Sequence, residues 1–377
     1  MIKKLFHIIK RIVRGLLGIF PWYINLYKGR AWYTKAAVGI VSFIVAIFLY
    51  LGMVDTNFLW LFGKSPGFVE IKTPPTYAAS EIYSADSVHI GRFYKENRTP
   101  VKYEEVNPAF WNALISTEDE RFYSHHGIDF MGIGGAIKDA LTRGDGRGAS
   151  TITQQLAKNM FRVRTQYSTG LLGHVPGLRM LIMKSKEWII AVKLELIYSK
   201  KEILTMYANT VDFGNNSFGV KTAARTYFNT TPARMTIDQA ATLVGMLKAT
   251  TYYNPITHPK NSIARRNTVL YNMVTHNVLP RAQYTQLSHR PLKLDIHVEE
   301  NYDGQAQYFR EYISDYLKDW MKENGYDLYS SGLRIYTTID TRLQKYAEQA
   351  AKKQMEKVQQ TFNNHWRGMQ PWRDAKG

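Results

Sequence analysis

A carboxylate set among apolar residues on a predicted helix is the first group in this chain that could move a proton. In the segment NPAFWNALISTEDERFYSHHGID, Asn107 and Pro108 form a helix start, a capping side chain followed by proline in the first turn, and Gly127 supplies a stop. Leu114, Glu118 and Phe122 recur at i, i+4 and i+8 with Ile115 beside them, so Glu118 falls on the stripe that faces a core. Burial next to Asp119 and Glu120 suits such a carboxylate to accept a proton near neutral pH. A structural ion pair with a buried arginine or lysine is the alternative on this pattern alone.

Two further segments offer positive charge. In GDGRGASTITQQLAKNMF, Gly144, Gly146 and Gly148 lead to Ser150 and a helix that carries Thr151, Gln154, Gln155 and Lys158 on one face and Ile152, Leu156 and Met160 on the other. A glycine-rich entry to a helix N-terminus presents N–H groups to an anion, though an ordinary capped amphipathic helix reads the same way. Between Asp145 and Glu187 there is no acid, while Arg147, Lys158, Arg162, Arg164, Arg179, Lys184 and Lys186 supply seven positive charges. That one-signed stretch suits phosphate, and Leu171, Leu172, Val175, Leu178 and Leu181 within it suit lipid; a basic surface loop is the bland alternative. Lys184 and Glu187 lie three apart on one helical face, as a surface ion pair also would, and Ser199 with Glu202 makes a capping box for the next helix. His125 and His126 are adjacent rather than at a metal-ligand spacing, and no HExxH occurs, which points to structural or orienting roles.

The 377 residues suffice for two to three domains with a sizeable apolar core, and the absence of cysteine removes disulfides, thiolate metal sites and cysteine nucleophiles. A net charge of +18 calls for an anionic partner: nucleic acid, a membrane surface or a phosphorylated substrate. Residues 1–35 hold eight Lys or Arg and no acid, with an amphipathic pattern over 2–20, and run into 19 uncharged residues at 36–54. At about 1.5 Å per residue these span roughly 28 Å, the thickness of a bilayer interior. The basic flank places the N-terminus in the cytoplasm and exports the rest, which argues against nucleic acid and leaves an uncleaved anchor. Beyond it the pattern predicts short strands over 77–105, helices from 107 to about 287, a helix over 308–322, a strand at LRIYTTI (333–339) and an Asp340-capped helix to about 359.

Together these segments resemble the family 51 glycosyltransferases, the lipid-substrate polymerases at the N-terminus of class A penicillin-binding proteins. The resemblance covers about 101–266: Glu118, Phe122, His125 and Gly127 with Asp129 following; the run 148–159; Lys184 and Glu187, then Lys200, Ile203, Leu204, Tyr207 and Asn209; and Lys248 in VGMLKA, followed by Tyr253, Asn254 and Pro255. It implies a mainly α fold, a lysozyme-like helical glycosyltransferase domain at 101–290. Ahead of it come a cytoplasmic tail (1–35), a transmembrane helix (36–54) and a linker with short strands (55–100). A linker (291–330) and the start of an α/β transpeptidase domain (331–377) follow. It also implies catalytic roles for Glu118 and Glu187, substrate contacts from Ser150, Thr151, Gln155, Lys158, Asn159, Lys184 and Lys248, and orienting roles for Asp119, Phe122, His125, Tyr207 and Asn209. The implied reaction is inverting polymerisation of lipid II on an undecaprenyl pyrophosphate-linked glycan. No cofactor is obligatory, a divalent cation (Mg or Mn) at Glu187 is compatible, and cell-wall synthesis proteins are the expected partners at the inner membrane. The family's Arg-Lys pair is Met183-Lys184 here, so Arg179 or Lys186 is expected to supply the missing charge. No serine is followed by lysine at i+3 and no KTG occurs, so the chain reads as a fragment or truncated product without transpeptidase chemistry. A lysozyme-like glycan hydrolase and a non-catalytic membrane scaffold are the competing readings.

Overall fold

The computed structural model describes residues 21, 24–74, 79–94, 97–143, 148–164, 169–297 and 305–368. The amphipathic pattern at 2–20 and Gly144, Gly146 and Arg147 of the glycine-rich loop lie outside the described residues. The protein is mainly helical. Its helices are α1 (Trp32–Asp55), α2 (Phe68–Lys72), α3 (Pro108–Glu118), α4 (Phe130–Arg143), α5 (Ile152–Met160), α6 (Leu178–Ile197), α7 (Lys200–Thr210), α8 (Val220–Phe228), α9 (Ile237–Met246), α10 (Pro259–Thr275), α11 (Arg281–Ser288), α12 (Gln307–Asn324) and α13 (Thr341–His365). The strands are β1 (Ser80–Tyr83), β2 (His89–Phe93), β3 (Asn97–Arg98), β4 (Ser217–Phe218) and β5 (Arg334–Tyr336). The chain divides into two units, residues 1–67 with 162–190 and residues 68–161 with 191–377.

In the first unit, α1 extends the apolar run by a turn at its start, and its 24 residues reach about 36 Å. It is the one described helix long and apolar enough to cross a membrane, and nearly all of it is exposed. Trp32 and Tyr33 at one end, and Phe58, Leu59 and Trp60 just past the other, are exposed aromatic and apolar side chains. The helix stops at Thr56, whose N–H returns to the Gly52 carbonyl, and Asn57, Leu59 and Trp60 then take positive φ. Val54 and Phe62 close a small core with Ile182 of α6, flanked by Tyr50, Leu61, Leu172, Leu178 and Ile189.

The second unit holds the helical body. Helix α9 is buried along most of its length by Ala240, Ala241, Leu243, Val244 and Met246 and packs on α3 and α10, while α5 packs on α7. The small side chains of α9 are what permit two neighbours at close range. The capping box read at Ser199 and Glu202 is present at the start of α7. A three-stranded sheet runs β2-β1-β5, with β1 antiparallel to β2 and parallel to β5, so residues near 80 and near 335 pair directly. Arg310 of α12 lies under this sheet, and Gly91 makes room for it: a Cβ there would stand 2.2 Å from its Nη1. The Asp340 cap is formed on α13, which runs to His365 rather than to about 359.

One expected element is shorter than its pattern. The helix that begins at Asn107 ends at Glu118 and does not continue to Gly127. Asp119 leaves helical geometry at φ −160°, ψ 75° because its carboxylate is committed elsewhere, to the backbone of Ile152 and the ring of His125. Phe122 is therefore buried from a turn and not from the next helical repeat.

Candidate active site

Glu118 is the last residue of α3 and its side chain is 13% exposed. Oε2 accepts a hydrogen bond of 2.8 Å from Nε2 of Gln155 on α5. The other end of that amide, Oε1, accepts from the Tyr207 hydroxyl of α7 at 2.9 Å. Tyr207 is fully buried, and that burial, followed by the charge of Glu118, pushes its hydroxyl well above the ordinary tyrosine range. It therefore stays a donor, which fixes the amide so that its NH2 faces Glu118. Arg265 of α10 brings Nη2 to 3.9 Å from Oε1 of Glu118.

Asp119, one residue on, is a buried anchor. It accepts from Nε2 of His125 at 3.0 Å and from the Ile152 N–H, the first of α5, at 2.9 Å. The helix N-terminus that the sequence offered to an external anion thus takes an internal one at that N–H. Thr151 caps the same end: its hydroxyl accepts from the Gln154 N–H and donates to the Gly127 carbonyl, which Gln154 also reaches through Nε2. Gly127 has φ +85°, and a Cβ on it would stand 2.8 Å from the Ala191 carbonyl. Lys200 donates to the His125 carbonyl at 2.6 Å and to Glu195 at 2.8 Å, with its ammonium 4.4 Å from the centre of the Phe122 ring. Asn209 both donates to the Val101 carbonyl and accepts from its N–H.

In the first unit, Glu187 is buried and its two oxygens are divided between cations. Lys184 Nζ reaches Oε2 at 3.0 Å, and the Arg164 guanidinium reaches Oε1 at 3.0 Å. Among the described residues no group of three His, Asp or Glu gathers to hold a metal.

A family model described as Transglycosylase matches residues 86–274, half of the chain. The chain belongs to the transglycosylase family. Penicillin-binding protein 1A of Escherichia coli (strain K12) is 32% identical to it over 315 residues, 83% of this chain and 35% of that one. Penicillin-binding protein 1A of Aquifex aeolicus (strain VF5) is 32% identical over 325 residues, 86% and 42% of the two chains. With a crystal structure of Penicillin-Binding Protein 1A from Haemophilus influenzae the whole-chain likeness is loose, with a TM-score of 0.40 and 22% identity over 73% of this chain and 29% of that one. The chain spans about a third to two fifths of the length of these curated relatives.

Of the transglycosylase residues read from the sequence, the second unit joins Glu118, Gln155 and Tyr207 in one line and Asp119, His125 and Thr151 in its support. Ser150, Lys158 and Asn159 are half-buried at or on α5, and Lys248 is exposed in the turn after α9, outside both groups. The first unit joins Lys184 and Glu187. Where Met183 stands for the family's arginine, the second cation on Glu187 is Arg164; Arg179 is exposed, and Lys186 is bound to backbone carbonyls of Gly63 and Lys64. Arg164 was named in the sequence only as one of seven charges in the basic stretch, and Arg265 was not singled out there. For Arg265 a signal existed: it precedes Arg266 on a helix buried through Val269, Leu270 and Met273, and it faces Gly245, where a Cβ would stand 3.1 Å from its Cγ.

Proposed function

We propose that this protein is a membrane-anchored peptidoglycan glycosyltransferase that polymerises lipid II, with Glu118 as the general base. The observation that carries the reading is the enclosed Glu118 carboxylate, held at one oxygen by a Gln155 amide whose orientation Tyr207 fixes, in a chain of the transglycosylase family. The hydrogen bond fixes the orientation of the carboxylate and leaves Oε1 to meet the substrate proton.

The acceptor is the disaccharide of lipid II and the donor a glycan on undecaprenyl pyrophosphate. Glu118 takes the proton of the acceptor's sugar 4-hydroxyl as that oxygen bonds to the donor's anomeric carbon. The bond from that carbon to the pyrophosphate oxygen breaks with its electron pair, and the configuration inverts. A pyrophosphate leaves without a protonated acid, so its departure calls for positive charge, assigned here to Lys184 and Arg164 and to Lys158 and Lys248. Ser150, Thr151 and Asn159 complete the substrate-binding set. Glu187, paired with both Lys184 and Arg164, either orients these cations or holds a divalent ion (Mg or Mn) beside the leaving pyrophosphate. Helix α1 keeps the chain at the inner membrane with its N-terminus in the cytoplasm, where cell-wall synthesis proteins are its expected partners.

Incubation of the purified chain with lipid II, and separately with finished glycan, tests this. Polymer from lipid II supports the transferase; cleavage of finished glycan alone supports a hydrolase, and neither product supports a scaffold.

A further inference from the structure

Lys186 lies between Lys184 and Glu187 in sequence, and its side chain is buried. Its Nζ donates to the carbonyls of Gly63 at 3.1 Å and Lys64 at 2.8 Å, in the stretch that follows α1. Burying an ammonium is costly unless acceptors hold it, and a methionine or leucine would fill the same space without that penalty.

Other contacts join the same two stretches. The Tyr50 hydroxyl meets the Ser185 hydroxyl at 3.1 Å, from a position five residues before the end of α1. The Leu172 N–H donates to the Leu61 carbonyl at 3.0 Å. Gly170, at φ +64°, passes so close that a Cβ would stand 2.5 Å from the backbone of Leu61 and Gly63. Val54, Phe62 and Ile182 pack beside them. On the same unit Phe58, Leu59, Trp60, Leu171, Met180 and Leu181 are exposed, an apolar belt next to the end of the membrane helix.

We propose that Lys186 is a positioning residue which, with Tyr50 and Ser185, locks the helix bearing Lys184 and Glu187 to the end of the membrane anchor, so that this ionic group is held at the depth of lipid headgroups. The inference rests on the glycosyltransferase reading for its purpose. Tyr50 stands about 7.5 Å inside the end of α1, so Ser185, and Lys184 with it, is fixed against the last turns of that helix, close to the level where the bilayer gives way to water. A pyrophosphate tethered to a polyprenyl chain sits at that level too. A displacement of ~1 Å between charge and reacting group can cost about 100-fold in rate.

The chain has no cysteine, so Met180→Cys carries a single nitroxide label. The full-length labelled protein is placed in vesicles containing phosphatidylglycerol, and label depth is read by power saturation alongside kcat and KM for lipid II. Lys186→Met is expected to lower kcat about tenfold with KM within about twofold, and to shift or broaden the label depth; Tyr50→Phe should act in the same direction at about two- to threefold. Unchanged kcat and depth in both variants would overturn the proposal. So would a Lys186→Met loss that matches its loss of folded protein, measured by thermal unfolding, while Tyr50→Phe equals the parent. If the parent protein makes no polymer, the glycosyltransferase reading fails on its own, and the depth measurement still decides the positioning role.

Discussion

The side-chain amide of Gln155 donates to Glu118 at 2.8 Å while its oxygen is held by the Tyr207 hydroxyl at 2.9 Å. One amide thus ties the carboxylate at the end of α3 to a hydroxyl buried in α7. The tyrosine touches no solvent and its removal changes no charge, so its effect on catalysis would pass through Gln155.

Replacing Tyr207 with Phe frees the amide to turn its oxygen toward Glu118. The loss of an oriented hydrogen bond to a charged group is worth about 1.5–3 kcal/mol, so polymerisation should fall roughly 10- to 100-fold. Gln155→Ala should fall by a similar factor, and the double variant by little more than either single one, since both break one line. Initial rates on lipid II for the three variants check this.

Asp119 satisfies the first N–H of α5 and a buried histidine at once. Asp119→Asn removes the negative charge from the helix N-terminus and from His125. The expected cost is about 1–2 kcal/mol of stability, visible as a lower midpoint in denaturant unfolding of the detergent-solubilised protein.

Gly127→Ala should destabilise by more than about 1 kcal/mol, because a positive φ and a backbone clash at Ala191 act together. The carbonyl of Gly127 also receives Thr151 and Gln154, so the same variant should loosen the start of α5 and raise its amide exchange.

Burial pulls the Lys186 ammonium down to about 8 from an ordinary lysine value of 10.5. Between those two pH values the unfolded chain binds the proton and the folded one does not, so unfolding becomes harder as pH rises through that window. Below pH 8 the buried charge is a standing cost. The stability of the parent relative to Lys186→Met should therefore increase from pH 8 to about 10.5, as measured by unfolding midpoints of the two proteins across that range.

The sequence carried the long apolar helix, the helical body and the helix caps because each depends on local periodicity or capping: the uncharged run of α1, the Ser199–Glu202 box of α7, the Asp340 cap of α13. The early stop of α3 was not legible. It follows from Asp119 reaching Ile152 across 33 positions, a contact that no helical pattern encodes. The neighbourhood of Glu118 was read in part. Gln155 came from a motif, whereas Arg265 arrives through the packing of α10 on α9 at Gly245, and Arg164 reaches Glu187 from outside the helix that carries it. Sheet β2-β1-β5 was likewise hidden, because its parallel pair joins residues about 250 apart in sequence.

The central claim is that Glu118 is the base, and the most direct test is polymerisation of lipid II by Glu118→Gln in vesicles. Glutamine keeps the shape and can still meet Gln155, but cannot take a proton at neutral pH. The variant should fold with an unchanged unfolding midpoint and polymerise at no more than about 1% of the parent rate. A folded Glu118→Gln protein that retained a tenth or more of that rate would contradict the account.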